Sequence, residues 1–250
     1  MDSFEKPKFN GIRFENPSSF SGWTGLPSIG RFFKFLLFER GEIGLPSCEQ
    51  KLAEVLPVRE SAFRVDSPLS ATWLGHFTVF VRLDGASFIT DPVWATRCSP
   101  LNRVGLGPLR YRPPPCPIDK LPKLDFGVIS HNHYDHLDAS AVHALSIRFP
   151  NMEWVVPKGL KKWMQNVTPG NIVHELTWGE QVTLSLENGK FEIWCSLWSG
   201  WAVTGAEHKF YYTGDTGFCR NEFQKLGNRL GPFHLALIPI GCYKPRWGIC

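Results

Sequence analysis

The dipeptide Asp84-Gly85 sits between two apolar runs and constrains this chain more than any other short feature. Asp-Gly suits a two-residue hairpin turn, in which the central residues take positive φ. Before it, Phe77, Val79 and Val81 alternate with Thr78, Phe80 and Arg82, a period of two. The stretch SATWLGHFTVFVRLDGASFITDP, residues 70–92, therefore reads as strand, strand, turn, strand.

Further along, DFGVIS at 125–130 is a short apolar strand. Asp138 is placed to N-cap a helix through about residue 149, with Val142, Leu145 and Phe149 on one face and Pro150 ending it. MEWVVP reads as a strand and KGLKKWMQ as a short helix. QVTLSL, KFEIWC, LWSGWAV and KFYYTGD read as successive strands. Residues 221–230 form a helix presenting Phe223, Leu226 and Leu230, closed by Gly231, and HLALIPI reads as a buried strand. Antiparallel runs thus flank a stretch of strand–helix alternation. That order predicts an α/β (α+β) protein of two packed sheets with helices outside.

This domain spans 66–250, and residues 1–65 form an irregular extension packed on it, with short helices at 31–39 and near 48–55. The Pro-rich stretch at 96–124 is a loop of a length that is usually functional or mobile. A chain of 250 residues buries a large core. Its net charge of +4 is a mild basic bias, with no Lys/Arg run of five, so no nucleic-acid partner is expected. Seven cysteines without a C-x-x-C indicate neither a disulfide framework nor a zinc ribbon. The start MDSFEKPKFN lacks the apolar core of a signal peptide, and no apolar run reaches transmembrane length. The expectation is an intracellular chain, cytoplasmic or peripheral to a membrane. RFFKFLLFER at 31–40 has two readings. Phe32, Phe35, Leu36 and Phe38 pack on the core, or Phe32, Phe35 and Phe38 touch a membrane surface.

Chemistry concentrates in HNHYDH, which follows the strand at 125–130 and carries three of the chain's eight histidines. In extended backbone His131 and His133 project to one side and clamp an ion. Asp135 shares that parity, and a tight turn directs Asp135 and His136 to a second ion beside it. Imidazole nitrogen and carboxylate oxygen suit borderline divalent metals, above all Zn²⁺. In TGDTGFC, Asp215 lies between two glycines that allow a sharp turn and close approach. A carboxylate there is placed to bridge two ions.

An H-x-H-x-D-H after a strand, with a later G-D-x-G, resembles the metallo-β-lactamase superfamily. TWLGHFTVFV, ITDPVWATRCSP, ISHNHYDHLD, TGDTGFC and GPFHLALIPIGCYKPRW together resemble the N-acyl-phosphatidylethanolamine-hydrolysing phospholipase D family, from about residue 15 to 247. The resemblance implies a four-layer αββα sandwich with two zinc ions at one edge. It implies hydrolysis of a phosphodiester in a membrane phospholipid, releasing an N-acylethanolamine and leaving phosphatidic acid. It also implies a peripheral membrane homodimer. Carried over, His131 and His133 ligate one zinc, Asp135 and His136 the other, and Asp215 bridges. Asp135 acts on the attacking water, and Tyr134, with Asp138, lies beside the site as a substrate-binding residue. His76 in WLGHFT matches a family histidine and is read as a satisfied core residue.

Two ligands of the family pattern lack a counterpart. The segment T-P-x-Q-H-W has none between Cys195 and Leu197, and the last family histidine lies beyond PRW. His143, His174 and His208 are read as structural or exposed. The sandwich is therefore expected to be incomplete, and this chain's activity impaired. Two alternatives stand beside hydrolysis: a non-catalytic splice or truncated variant that binds lipid or the full-length enzyme, and a hydrolase of another ester or phosphodiester.

Overall fold

The structure, a computed structural model, describes residues 4–11, 14–20, 28–34, 59–64, 66–100, 105–107, 109–110 and 112–240. The helix expected near 48–55, Phe35 and Phe38, the side chain of Phe32, and GCYKPRW at 241–247 lie outside the described residues. Of the segment 31–40, the structure describes the end of a short helix, α1, Ile29–Lys34.

The hairpin stands where Asp84-Gly85 places it. Strands β1 (Leu69–Gly75), β2 (Thr78–Leu83) and β3 (Ala86–Thr90) form an antiparallel meander, with Leu83 opposite Ala86. Asp84 and Gly85 both take positive φ. Strands β4 (Phe126–Val128), β5 (Glu153–Pro157) and β6 (Val173–Leu176) then add in parallel, giving a six-stranded sheet in sequence order. Parallel addition needs crossovers, and two are helices: α2 (Ala139–Arg148) and α3 (Lys161–Val167).

The second sheet has the order β11-β10-β9-β8-β7. It comprises β7 (Gln181–Leu186), β8 (Gly189–Cys195), β9 (Trp201–Thr204), β10 (Lys209–Tyr212) and β11 (Leu235–Leu237). Helix α4 (Arg220–Leu230) precedes β11, which pairs in parallel with β10.

Side-chain alternation assembles these elements into layers. Val79, Val81 and Leu83 on β2, with Phe88, Phe126, Val128 and Val155, meet Phe191, Ile193, Trp201, Val203 and Phe210 of the other sheet. Phe80 and Ile89 face the opposite way and pack with Trp154, Val142, Leu145 and Met164 beneath α2 and α3. On the far side Leu226 and Leu230 of α4 cover Ala202 and Tyr211, with Phe223 alongside. The result is an αββα sandwich.

Two local expectations differ from the outcome. LWSGWAV is not strand throughout: Leu197–Ser199 is a 3-10 turn and the strand begins at Trp201. That turn joins β8 to β9 directly, with Trp198 and Ser199 both at positive φ. HLALIPI is strand only over Leu235–Leu237, and it is not buried. Among the described residues it is the edge of its sheet, and Ile238 and Ile240 lie exposed just beyond it. Among the described residues Cys98, Cys116, Cys195 and Cys219 are free thiols. Among the described residues no helix is long and apolar enough to cross a membrane.

Candidate metal centre

The strand ends of both sheets deliver the polar residues to one rim. β4 runs straight into Ser130 and the HNHYDH turn, where His136 and Leu137 donate their backbone N–H groups to the His133 carbonyl at 3.0 and 2.8 Å. That turn reverses the chain into α2. Asp138 caps the helix, accepting from Ser140 and Ala141 N–H through one oxygen. Its other oxygen accepts from the N–H groups of Trp94 at 3.0 Å and Ala95 at 2.7 Å. The carboxylate is thus used up in holding two loops together.

Asp215 arrives from the second sheet, just past β10. Gly214 makes this possible. Its φ is +60, and a Cβ there would lie 2.7 Å from the Ser130 Cβ. Gly214→Ala is expected to cost about 1–3 kcal/mol through overpacking, more with the left-handed strain. It also pushes Asp215 away from the histidines. Urea denaturation and metal binding on the same protein check both effects.

The structure brings the five residues singled out in the sequence to one place. His131 Nε2 lies 2.8 Å from His133 Nδ1. A single oxygen of Asp215, Oδ2, lies 3.9 Å from His131 Nε2 and 3.4 Å from His136 Nε2. Asp135 Oδ2 lies 3.8 Å from His136 Nε2. His131, His133 and Asp215 form one cluster of potential metal donors, and Asp135 and His136 belong to a second. The remaining member of the second cluster is His76, 3.0 Å from Asp135. The reading of His76 as a core residue is therefore corrected: its side chain is 43% exposed, at the mouth of the site. His143, His174 and His208 are held elsewhere, by Val167, Glu153 and Asp84.

Sequence reasoning missed Asp91. It is fully buried and takes hydrogen bonds from Ser130 N–H at 2.7 Å, Ser130 Oγ at 2.5 Å, His136 Nδ1 at 2.7 Å and the Tyr212 hydroxyl. Because carboxylates only accept, His136 carries its hydrogen on Nδ1 and presents Nε2 to the site. The Ser130 hydroxyl gives its hydrogen to Asp91, so it accepts from His131 Nδ1 at 2.9 Å. That leaves a lone pair on His131 Nε2 as well. One buried carboxylate thus sets the tautomers of two histidines. The signal was the TDP turn after β3, where Asp91 takes a positive φ of 34.

The electrostatics follow from crowding. Burial drives the His131 imidazole down, and the neighbouring His136 adds to it, giving a pKa of about 4. Burial acts the same way on His136, but Asp215 and Asp91 on either side outweigh it and push it up to about 10. Burial opposes ionisation of Asp135 and Asp215. Hydrogen bonding to His76 for the first, and to His136 for the second, overcomes it and holds both below the usual carboxylate range.

These donors fit a divalent cation. His136 Nε2 is buried and makes no hydrogen bond of good geometry; the carboxylate oxygens nearest it, on Asp215 and Asp135, stand 3.4 and 3.8 Å away. An unpaired buried nitrogen costs about 1–3 kcal/mol, which a bound ion removes. Beside the cluster, Tyr134 is half exposed and lines an open cavity of about 420 Å³ with Asn132, Arg97, Leu160 and Trp163.

Residues 87–249 match the family described as Beta-lactamase superfamily domain. N-acyl-phosphatidylethanolamine-hydrolyzing phospholipase D 1 of Caenorhabditis elegans is 49% identical over 268 residues, covering 98% of this chain and 74% of that protein. The aligned stretch is longer than the chain's 250 residues, so the worm protein carries residues within it that this chain lacks. The mitochondrial N-acyl-phosphatidylethanolamine-hydrolyzing phospholipase D of Saccharomyces cerevisiae is 28% identical, covering 94% of this chain and 60% of its own length. Among solved structures, the metallo hydrolase Igni18 of Ignicoccus hospitalis superposes with a TM-score of 0.50 at 22% identity, over 69% of this chain and 71% of Igni18, a likeness of fold. The chain therefore belongs to the β-lactamase superfamily of metal-dependent hydrolases and, within it, to the N-acyl-phosphatidylethanolamine-hydrolysing phospholipase D family.

Proposed function

We propose that the chain holds two zinc ions and hydrolyses N-acyl-phosphatidylethanolamine to an N-acylethanolamine and phosphatidic acid. The substrate rests on one observation, the 49% identity across almost the whole chain to an enzyme named for that reaction. His131, His133 and Asp215 would hold one ion, with Asp135 and His136 on the other and Asp215 shared. When bound, such ions supply positive charge to a phosphodiester and lower the pKa of water. Asp135 stays ionised at the mouth of the site, where its carboxylate orients the attacking water. Tyr134 borders the cavity that receives the part of the substrate next to the phosphate. A peripheral membrane setting and pairing of two copies go with the same reading.

The tight β8–β9 joint favours a second reading. Ser196–Gly200 carry no histidine, and the relative has extra residues within the aligned stretch. A chain without that histidine binds lipid, or the full-length enzyme, without turnover.

Zinc-loaded protein assayed on vesicles of N-acyl-phosphatidylethanolamine, phosphatidylcholine and a soluble lactone decides between them. The expected result is N-acylethanolamine release from the first lipid alone. Preference for the lactone overturns the lipid assignment, and two bound ions without turnover establish the second reading.

A further inference from the structure

The β1–β2 turn is built to carry one side chain to the rim. The pairing of β1 with β2 slips between Trp73 and Gly75, a bulge of the kind that re-aims a strand end. Gly75 and then His76 take positive φ, 108 and 54. A left-handed conformation at a residue other than glycine is strained and persists only where its surroundings impose it. Trp73 Nε1 donates to the His76 carbonyl at 2.8 Å and pins the turn. The Phe77 ring packs against both His76 and His136, with centroids 4.8 and 4.2 Å apart.

The strained turn places His76 Nε2 3.0 Å from Asp135 Oδ2, and the same oxygen is 3.8 Å from the unpartnered His136 Nε2. Around a tetrahedral zinc with ligands at about 2.0–2.2 Å, donor atoms stand roughly 3.4 Å apart. The two separations bracket that value, and all three donor atoms lie within 4.8 Å of one another. An imidazole kept only for a hydrogen bond needs no strained turn and no vacant nitrogen opposite it.

We propose that His76 is a metal ligand, completing with Asp135 and His136 the second of two cation sites in this chain. The proposal rests on the metal reading above. It supplies the second ion with a donor from the first hairpin, where the two-sheet motif residues alone leave it with Asp135, His136 and a shared Asp215.

Equilibrium dialysis of the purified chain against Zn²⁺ and Co²⁺ tests it, with H76A, H76Q and, as a control on helix α2, H143A. Gln keeps a donor for Asp135 but is a poor metal ligand. Wild type and H143A are expected to hold two ions. H76A and H76Q are expected to hold one, with the second bound at least about 100-fold more weakly, beyond the 10–100-fold typical of losing an outer partner. The Co²⁺ absorption spectrum should lose the contribution of one site, and circular dichroism confirms that each variant is folded. Two ions in H76Q at unchanged affinity would overturn the role of His76 while leaving the metal centre intact. No ion in the wild type sinks the metal reading and this proposal together.

Discussion

Asp91→Asn is expected to destabilise the protein by about 3–5 kcal/mol, the range for breaking one partner out of a buried charged network. It is also expected to weaken metal binding by about 10–100-fold, as loss of a partner behind a metal-binding histidine does. Asn has nearly the same shape and tolerates positive φ, so the backbone at Asp91 is not the cause. The chemistry is. Four donors converge on Asp91: two from Ser130, one from His136 and one from Tyr212. Burial, then the charge of Asp91, raises Tyr212 well above the usual phenol range, so it remains a donor. An amide offers one acceptor oxygen and sets its NH₂ against the remaining donors. His136 is then free to shift its hydrogen to Nε2, the atom needed for an ion. Through Ser130 the same loss reaches His131 Nδ1. Urea denaturation of the metal-free variant measures the first effect, and zinc titration measures the second. A variant as stable as wild type, with unchanged zinc affinity, would show that Asp91 is a bystander.

The contrast between Asp91 and its neighbours explains what a sequence discloses. His131, His133, Asp135 and His136 stand within six residues after one strand, so spacing alone reveals them. Asp215 is announced by its flanking glycines, and Gly214 is needed because the chain passes against Ser130. Asp91 carries only the fainter mark of the TDP turn. Its partners lie 39, 45 and 121 residues away, and only the packing of two sheets unites them. His76 likewise meets Asp135 across 59 residues. It was read as a core residue, whereas the bulged turn carries the ring outward. The layers were legible from alternation because Val79 and Val81 face one core and Phe80 another. Alternation did not say that β11 is an edge. An apolar run reads the same in the middle of a sheet and at its margin.

Zinc affinity is expected to rise about tenfold per pH unit between pH 7 and 9.5, each unit corresponding to about 1.36 kcal/mol. The cause is His136. In the metal-free protein burial opposes its charge, yet Asp215 and Asp91 raise its pKa to about 10. The site therefore holds a proton where an ion must sit. The sign for stability follows from linkage. A folded-state pKa above the unfolded value near 6.5 stabilises the metal-free chain fully below 6.5, and that contribution fades as pH climbs through 10. Asp135 and Asp215 are depressed, so their contributions are present above the unfolded value of 3.8 and are lost on acidification. Across the neutral range an incoming ion meets two carboxylates already ionised and a His131 already neutral, since its pKa is about 4. The His136 proton competes with the ion, and its departure returns Nε2 to the lone-pair state that Asp91 has prepared. Calorimetric titration with zinc at pH 8, in buffers of different ionisation enthalpy, should register release of at least this proton. Competition against a chromophoric chelator should give the slope with pH. An affinity flat from pH 7 to 9.5 would mean that the ion never displaces the proton on His136, and that the buried nitrogen is not a ligand.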